Sequence, residues 1–143
     1  MIYNTGFFKS RLKKDKLKKI SNNLILRIQK EEKVRFGEIN LIYCGDKEIR
    51  KINKEYLGHD YETDIITFHD TDEKGNIEGE LLISTDTVKR NSESYSVTLA
   101  QELFRVTAHG LLHLCGYDDK TRAGIKEMRE KENYYLKKIR LSF

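Results

Sequence analysis

His109 and His113 are four residues apart in a strongly apolar run, residues 99–115. On a helix, side chains four apart share one face, with Cβ atoms about 6 Å apart. Two imidazoles at that spacing can chelate one divalent cation. Gly116 follows, at a place where helices commonly stop in the left-handed conformation that glycine adopts cheaply. The turn it permits can bring Asp118 or Asp119 back towards the histidines. Two neutral nitrogens and one carboxylate make a three-ligand set with a position open to water. A purely structural role for both histidines would bury two imidazoles without partners, which costs free energy. Metal binding is therefore the expected chemistry.

Glu102 and Arg105 precede His109 by seven and four residues, so they lie near the histidine face. A Glu and an Arg in an apolar helix need partners. They can pair with each other, orient a ligand imidazole or hold a substrate phosphate. Arg105 and His59, the latter in a polar loop, are the candidate catalytic residues. Cys44 and Cys115 sit in apolar surroundings and read as reduced core thiols of a cytoplasmic protein.

These residues must be positioned by a small set of elements. Residues 1–8 suggest a short edge strand. Leu17, Ile20, Leu24 and Ile28 recur at spacings of three and four, which predicts an amphipathic helix over residues 12–30. A strand is expected over 38–44, then a helix capped by Asp46 and carrying Ile49, Ile52 and Tyr56. Residues 57–61 form a loop. The β-branched stretch 63–68 predicts a strand. Residues 77–84 predict another, with Leu81-Leu82-Ile83 buried on both faces. Ser84 or Thr85 caps a short helix. Ser96 or Thr98 starts the metal-bearing helix, with Thr98 and Gln101 at capping-box spacing. A charged helix over 121–139 closes the chain. The expected fold is one α+β domain over residues 1–143. It has a small mixed four-stranded sheet packed with about five helices, and the metal helix is central.

The composition is that of a globular chain, with 38% hydrophobic and 35% charged residues, neither disordered nor disulfide-rich. No apolar run approaches the roughly 20 residues that cross a bilayer, so membrane partners are not expected. The basic residues follow the apolar N-terminal stretch instead of preceding it, the wrong order for a secretory signal. The net charge is +4, yet residues 9–19 carry seven cations and one carboxylate, a segment of +6. Such a segment is either the solvated face of a helix or a surface for a phosphate backbone.

The stretch His109-Gly110-Leu111-Leu112-His113-Leu114-Cys115-Gly116-Tyr117-Asp118-Asp119 resembles the YbeY family of bacterial endoribonucleases. The similarity extends through Asn53-Lys54-Glu55-Tyr56-Leu57-Gly58, Thr63-Asp64-Ile65-Ile66-Thr67-Phe68 and Gly79-Glu80-Leu81-Leu82-Ile83-Ser84. The resemblance implies a zincin-like domain holding one zinc ion. It implies a single-strand-specific endoribonuclease in the cytoplasm, acting in small-subunit (16S) ribosomal RNA 3′-end maturation and ribosome quality control. Its partners would be ribosomal RNA and the small ribosomal subunit, with a small-subunit ribosomal protein and an assembly GTPase beside them. It also selects Asp119 as third ligand beside His109 and His113, since Asp119 stands where the family usually has a third His. Leu57 stands where the family usually has an Arg, and His59 could partly replace that Arg at phosphate. The alternative is a non-catalytic ribosome-assembly RNA-binding factor with a structural zinc. A zinc peptidase is disfavoured, because Gly110 replaces the Glu that zincin proteases use as general base.

If the +6 segment contacts RNA, log affinity falls linearly with log salt, with a slope magnitude of about 0.7 per neutralised phosphate on single strands. Reversing Lys13, Lys14 and Lys18 to Glu weakens binding to all RNA sequences alike. Unchanged affinity in filter-binding titrations of that triple variant removes the segment from RNA binding.

Overall fold

The computed structural model describes residues 2–3 and 14–139. In chain order they form helix α1 (Lys14–Glu32), strand β1 (Phe36–Cys44), α2 (Asp46–Leu57), β2 (Ile65–Thr71), β3 (Ile77–Ser84), α3 (Thr85–Ser94), α4 (Leu99–Leu114) and α5 (Arg122–Lys138). The strands lie in the order β1-β3-β2. β1 and β3 run parallel, with Leu41 opposite Leu81. β2 and β3 form an antiparallel hairpin, with Thr67 opposite Leu81. The class is α+β, with five helices among the described residues. The expected four-stranded sheet is corrected to three strands of full length. Among the described residues the N-terminal segment contributes the two-residue pairing of Ile2–Tyr3, parallel to β1 beside Leu41 and Ile42 at the edge of the sheet. The remainder of the edge strand expected over residues 1–8 lies outside the described residues.

Alternation along the strands divides the core. Ile39, Leu41, Tyr43, Leu81 and Ile83 join the side chains of α1, α4 and α5 in the main cluster. Cys44, Ile66 and Leu82 pack with Ile49 of α2 in a smaller one. The run Leu81-Leu82-Ile83 is thus buried towards both clusters, as a strand covered by helices on both faces requires.

Local chemistry sets the helix starts. Thr98 accepts from the Gln101 amide and donates its own amide to the Gln101 side chain, the expected capping box. Ser84 caps α3 by accepting from the Thr87 amide. Asp46 does not cap α2. Gly45 takes that position, and the Asp46 carboxylate accepts from the Ser84 and Thr87 hydroxyls and pairs with Arg90 at 2.7 Å. It therefore ties α2 to α3. The inward face of α2 also departs from expectation. Tyr56 is exposed, whereas Asn53 is buried.

α4 is buried on nearly every side, including Leu103, Phe104, Ala108, Leu111 and Leu112, which makes it the central helix. Gly110 is where it presses on the sheet. A Cβ there would lie 2.6 Å from Ile65 Cδ1 and 2.8 Å from Leu81 Cδ2. The glycine between the two histidines thus sets the depth of α4 over β2 and β3. Overpacking by one methyl costs about 1–3 kcal/mol, offset by about 1 kcal/mol of helix propensity. Gly110→Ala should therefore destabilise by about 1 kcal/mol in urea unfolding. A stabilised variant would show that Ile65 and Leu81 yield freely.

Candidate metal centre

Residues from two segments converge. His109 and His113 lie on successive turns of α4, and Asp119 lies in the connection to α5. Gly116, at φ 102°, turns the chain where α4 ends. The two Nε2 atoms are 3.0 Å apart. Asp119 places Oδ2 3.5 Å from His109 Nε2 and Oδ1 3.8 Å from His113 Nε2. Ligand atoms of the three residues all lie within 4.8 Å of one another, a spread that one cation can span. Neither Asp118 nor Cys115 is part of this group. Asp118 Oδ1 accepts from the Lys120 amide and pins the turn. Burial pushes the Cys115 thiol up to about 12 and the Cys44 thiol up to about 11, so both stay protonated at neutral pH.

The second nitrogen of each imidazole is already engaged. His113 Nδ1 lies 2.9 Å from the Tyr117 carbonyl oxygen. A carbonyl only accepts, so Nδ1 carries the proton. His109 Nδ1 lies 2.7 Å from Glu132 Oε2. Burial alone would raise the Glu132 pKa, but hydrogen bonds from His109 and Arg105 outweigh it and hold the carboxyl below its usual range. Glu132 is thus ionised and accepts. Both Nε2 atoms then present lone pairs to the same point, 3.0 Å apart. Two facing lone pairs repel unless a cation lies between them, so the donor set fits a metal ion.

Behind His109 the network continues inward. Arg105 donates to both oxygens of Glu102, at 2.8 and 2.5 Å, and to Glu132 Oε1 at 2.8 Å. Desolvation would lower the Arg105 pKa, but the two carboxylates raise it overall. Glu102 and Arg105 therefore do pair, and the pair reaches His109 through Glu132. Glu132 escaped the sequence reading because α5 is so highly charged. Its signal was positional. Met128, Glu132, Tyr135 and Ile139 recur at spacings of four, three and four, and all are buried. A second missed residue is Glu32, at the end of α1. It accepts from the hydroxyls of Tyr117 and Tyr135 and pairs with Lys131. It thereby anchors the turn whose carbonyl holds His113.

The centre opens into a cleft of about 300 Å³. His59 and Leu57 line it together with His109, His113 and Asp119. Arg105 does not line it. The Arg105 guanidinium is turned to buried carboxylates, with the Asp64 carboxylate 3.8 Å away.

Glu132→Gln should keep the fold while weakening metal affinity about 10- to 100-fold, the usual effect of losing a carboxylate behind a ligand imidazole. Glu102→Gln, one residue further back, should have a smaller effect. Competition with a chromophoric chelator measures both. Equal affinity in Glu132→Gln would reduce this carboxylate to a packing role.

A family model for Endoribonuclease YbeY matches residues 4–140. The Endoribonuclease YbeY of Chloroherpeton thalassium is 52% identical over 106 residues, 73% of this chain and 74% of the relative. That of Cytophaga hutchinsonii is 49% identical over 109 residues, 76% of each chain. That of Chlorobium phaeobacteroides is 40% identical over 139 residues, 96% of this chain and 92% of the relative. A solution structure of a Thermotoga maritima protein superposes with a TM-score of 0.63 at 31% identity, covering 89% of this chain and 83% of that one. With the family model spanning nearly its whole length and relatives at this identity, the chain belongs to the YbeY endoribonuclease family.

Proposed function

We propose that this protein is a metal-dependent endoribonuclease of ribosomal RNA processing, with zinc held by His109, His113 and Asp119. The observation that carries the metal site is the fixed tautomer of both histidines, each Nδ1 engaged and each Nε2 turned to Asp119. Family membership supports the RNA substrate. Two imidazoles and one carboxylate suit zinc and leave a position open. Zinc bound there would lower the pKa of its water towards about 7 and polarise a phosphoryl oxygen.

The chain's own residues do the rest. Glu132 and the Tyr117 carbonyl fix the rings of His109 and His113. Arg105 holds Glu132 in place, which makes it a positioning residue in this reading. His59 meets the substrate from the cleft wall. The finer assignment is single-strand-specific cleavage in 16S 3′-end maturation and ribosome quality control, in the cytoplasm, on the small subunit. A ribosomal protein and an assembly GTPase would be its partners there. Among the described residues, no helix is long and apolar enough to cross a membrane.

Gly110 argues against a peptidase. Where those enzymes carry a Glu, this helix has no room even for a Cβ without displacing Ile65 and Leu81. The non-catalytic reading has one observation in its favour: none of the described residues lining the cleft is Lys or Arg. Single-turnover cleavage of single-stranded ribosomal RNA by the metal-loaded protein decides between them. Asp119→Ala should lose both metal and cleavage, and Asp119→His should retain metal. Asp118→Ala should keep metal at some cost in stability. Full metal occupancy in Asp119→Ala would overturn the ligand assignment. Wild-type protein that binds RNA without cleaving it would favour the assembly factor.

A further inference from the structure

The cleft is unusual for a site that handles a polyanion. Of 143 residues 27 are Lys or Arg, yet the described residues lining the cleft include none of them and do include Asp64 and Asp119. Phosphate charge is not what this wall is built to meet. Two aromatic side chains join the wall from the loop between α2 and β2. The rings of His59 and Tyr61 are stacked, with centroids 5.2 Å apart and planes 11° from parallel. Tyr61 is 54% exposed and Leu57 49% exposed.

The loop is built to hold this pair still. Asn53, buried on α2, donates its side-chain amide to the Tyr61 carbonyl at 2.9 Å. Its own carbonyl accepts from the His59 amide at 3.1 Å. Arg50 pairs with Asp60, between the two rings, at 2.9 Å. Two exposed rings are thus pre-ordered in parallel from a buried root, in the cleft that holds the three ligand residues. Parallel exposed rings suit the flat face of a nucleobase.

We propose that His59 and Tyr61 form a base-stacking platform for an unpaired nucleobase of RNA lying in the metal cleft, with Leu57 extending its apolar surface. The inference rests on the endoribonuclease reading and deepens it. A duplex keeps its bases inside the helix and offers no face to the platform, so preference for single strands originates at this loop. Every base has a π-face, so the platform discriminates weakly among sequences. Affinity from the +6 segment and selectivity from the platform are then separate properties, one sensitive to salt and one not.

The test uses full-length, metal-loaded protein and a short single-stranded RNA carrying 2-aminopurine, whose fluorescence is quenched on stacking. Wild-type protein should quench the probe. Tyr61→Ala and His59→Ala should weaken binding about 10-fold or more and reduce the quench, with the loss in KM larger than that in kcat. Tyr61→Phe, which keeps the ring, should bind like wild type. The slope of log affinity against log salt should stay the same in all variants, because no phosphate contact is lost. Metal content should match wild type throughout. Undiminished binding in Tyr61→Ala overturns the platform alone, as does a Tyr61→Phe variant as weak as Tyr61→Ala. A shallower salt slope in His59→Ala would make His59 a phosphate contact and also overturns it. A wild-type protein that binds no single-stranded RNA overturns both the platform and the reading beneath it.

Discussion

Glu132 is a carboxylate with 2% of its surface exposed, inside a helix whose other buried residues include Met128 and Tyr135. Such a charge is tolerated only where partners replace its lost hydration. Arg105 donates to one oxygen and His109 to the other, and the Arg129 guanidinium lies 3.6 Å from the first. This bridge locks α5 to α4 and sets the ring plane and tautomer of His109, one of the three residues able to hold a metal. The same interaction therefore serves folding and chemistry. Removing it would strand Arg105 beside Glu102 and free the His109 ring to rotate.

Around this bridge the charges are not balanced. Glu102 and Glu132 share the Arg105 guanidinium, Arg129 reaches Glu132 at 3.6 Å, and Asp64 and Asp119 add two more carboxylates nearby. The surplus of negative charge lies next to two neutral nitrogens that point the same way. That field favours a divalent cation at the open end of the cleft and disfavours a bare phosphate. A cluster of other basic residues lies elsewhere. Lys16, Lys19, Arg27 and Lys30 of α1 share a separate cavity with Lys138 at the end of α5. The cations of α1 and the acidic centre thus line separate cavities, so a protein of net charge +4 can present an acidic centre.

The second candidate ligand, His113, is secured by a longer chain of contacts. Glu32 closes α1 and grips the Tyr117 hydroxyl, and the Tyr117 carbonyl receives His113 Nδ1. Burial would raise the Glu32 pKa, but hydrogen bonds from Tyr117, Tyr135 and Lys131 bring it below the usual carboxylate range. Its stabilising effect is therefore present above the unfolded carboxylate pKa and lost as pH falls through the lower folded value. Three helices and one turn are joined to the site by two carboxylates, neither of which is a ligand.

Much of this was legible in the chain itself. The four-residue spacing of His109 and His113 needs only helix geometry, and Gly116 announces the turn. The capping box at Thr98 and the Ser84 cap are local hydrogen bonds between neighbours, so short-range pattern suffices for them. Contacts between distant segments were not legible. Nothing near Asp46 in sequence says that its carboxylate will be drawn to Ser84, Thr87 and Arg90, 38 to 44 residues away. Nothing near Ile2–Tyr3 says that these residues will pair in parallel beside Leu41 and Ile42. Glu132 shows the limit most clearly. Its position in the apolar stripe of α5 marked it as buried, but only the packing of α5 on α4 decided that it would face Arg105 and His109. The sequence by itself determined which side chains could bind a metal. The tertiary structure decided their tautomers, because those depend on acceptors brought from 4 and 23 residues away in the chain.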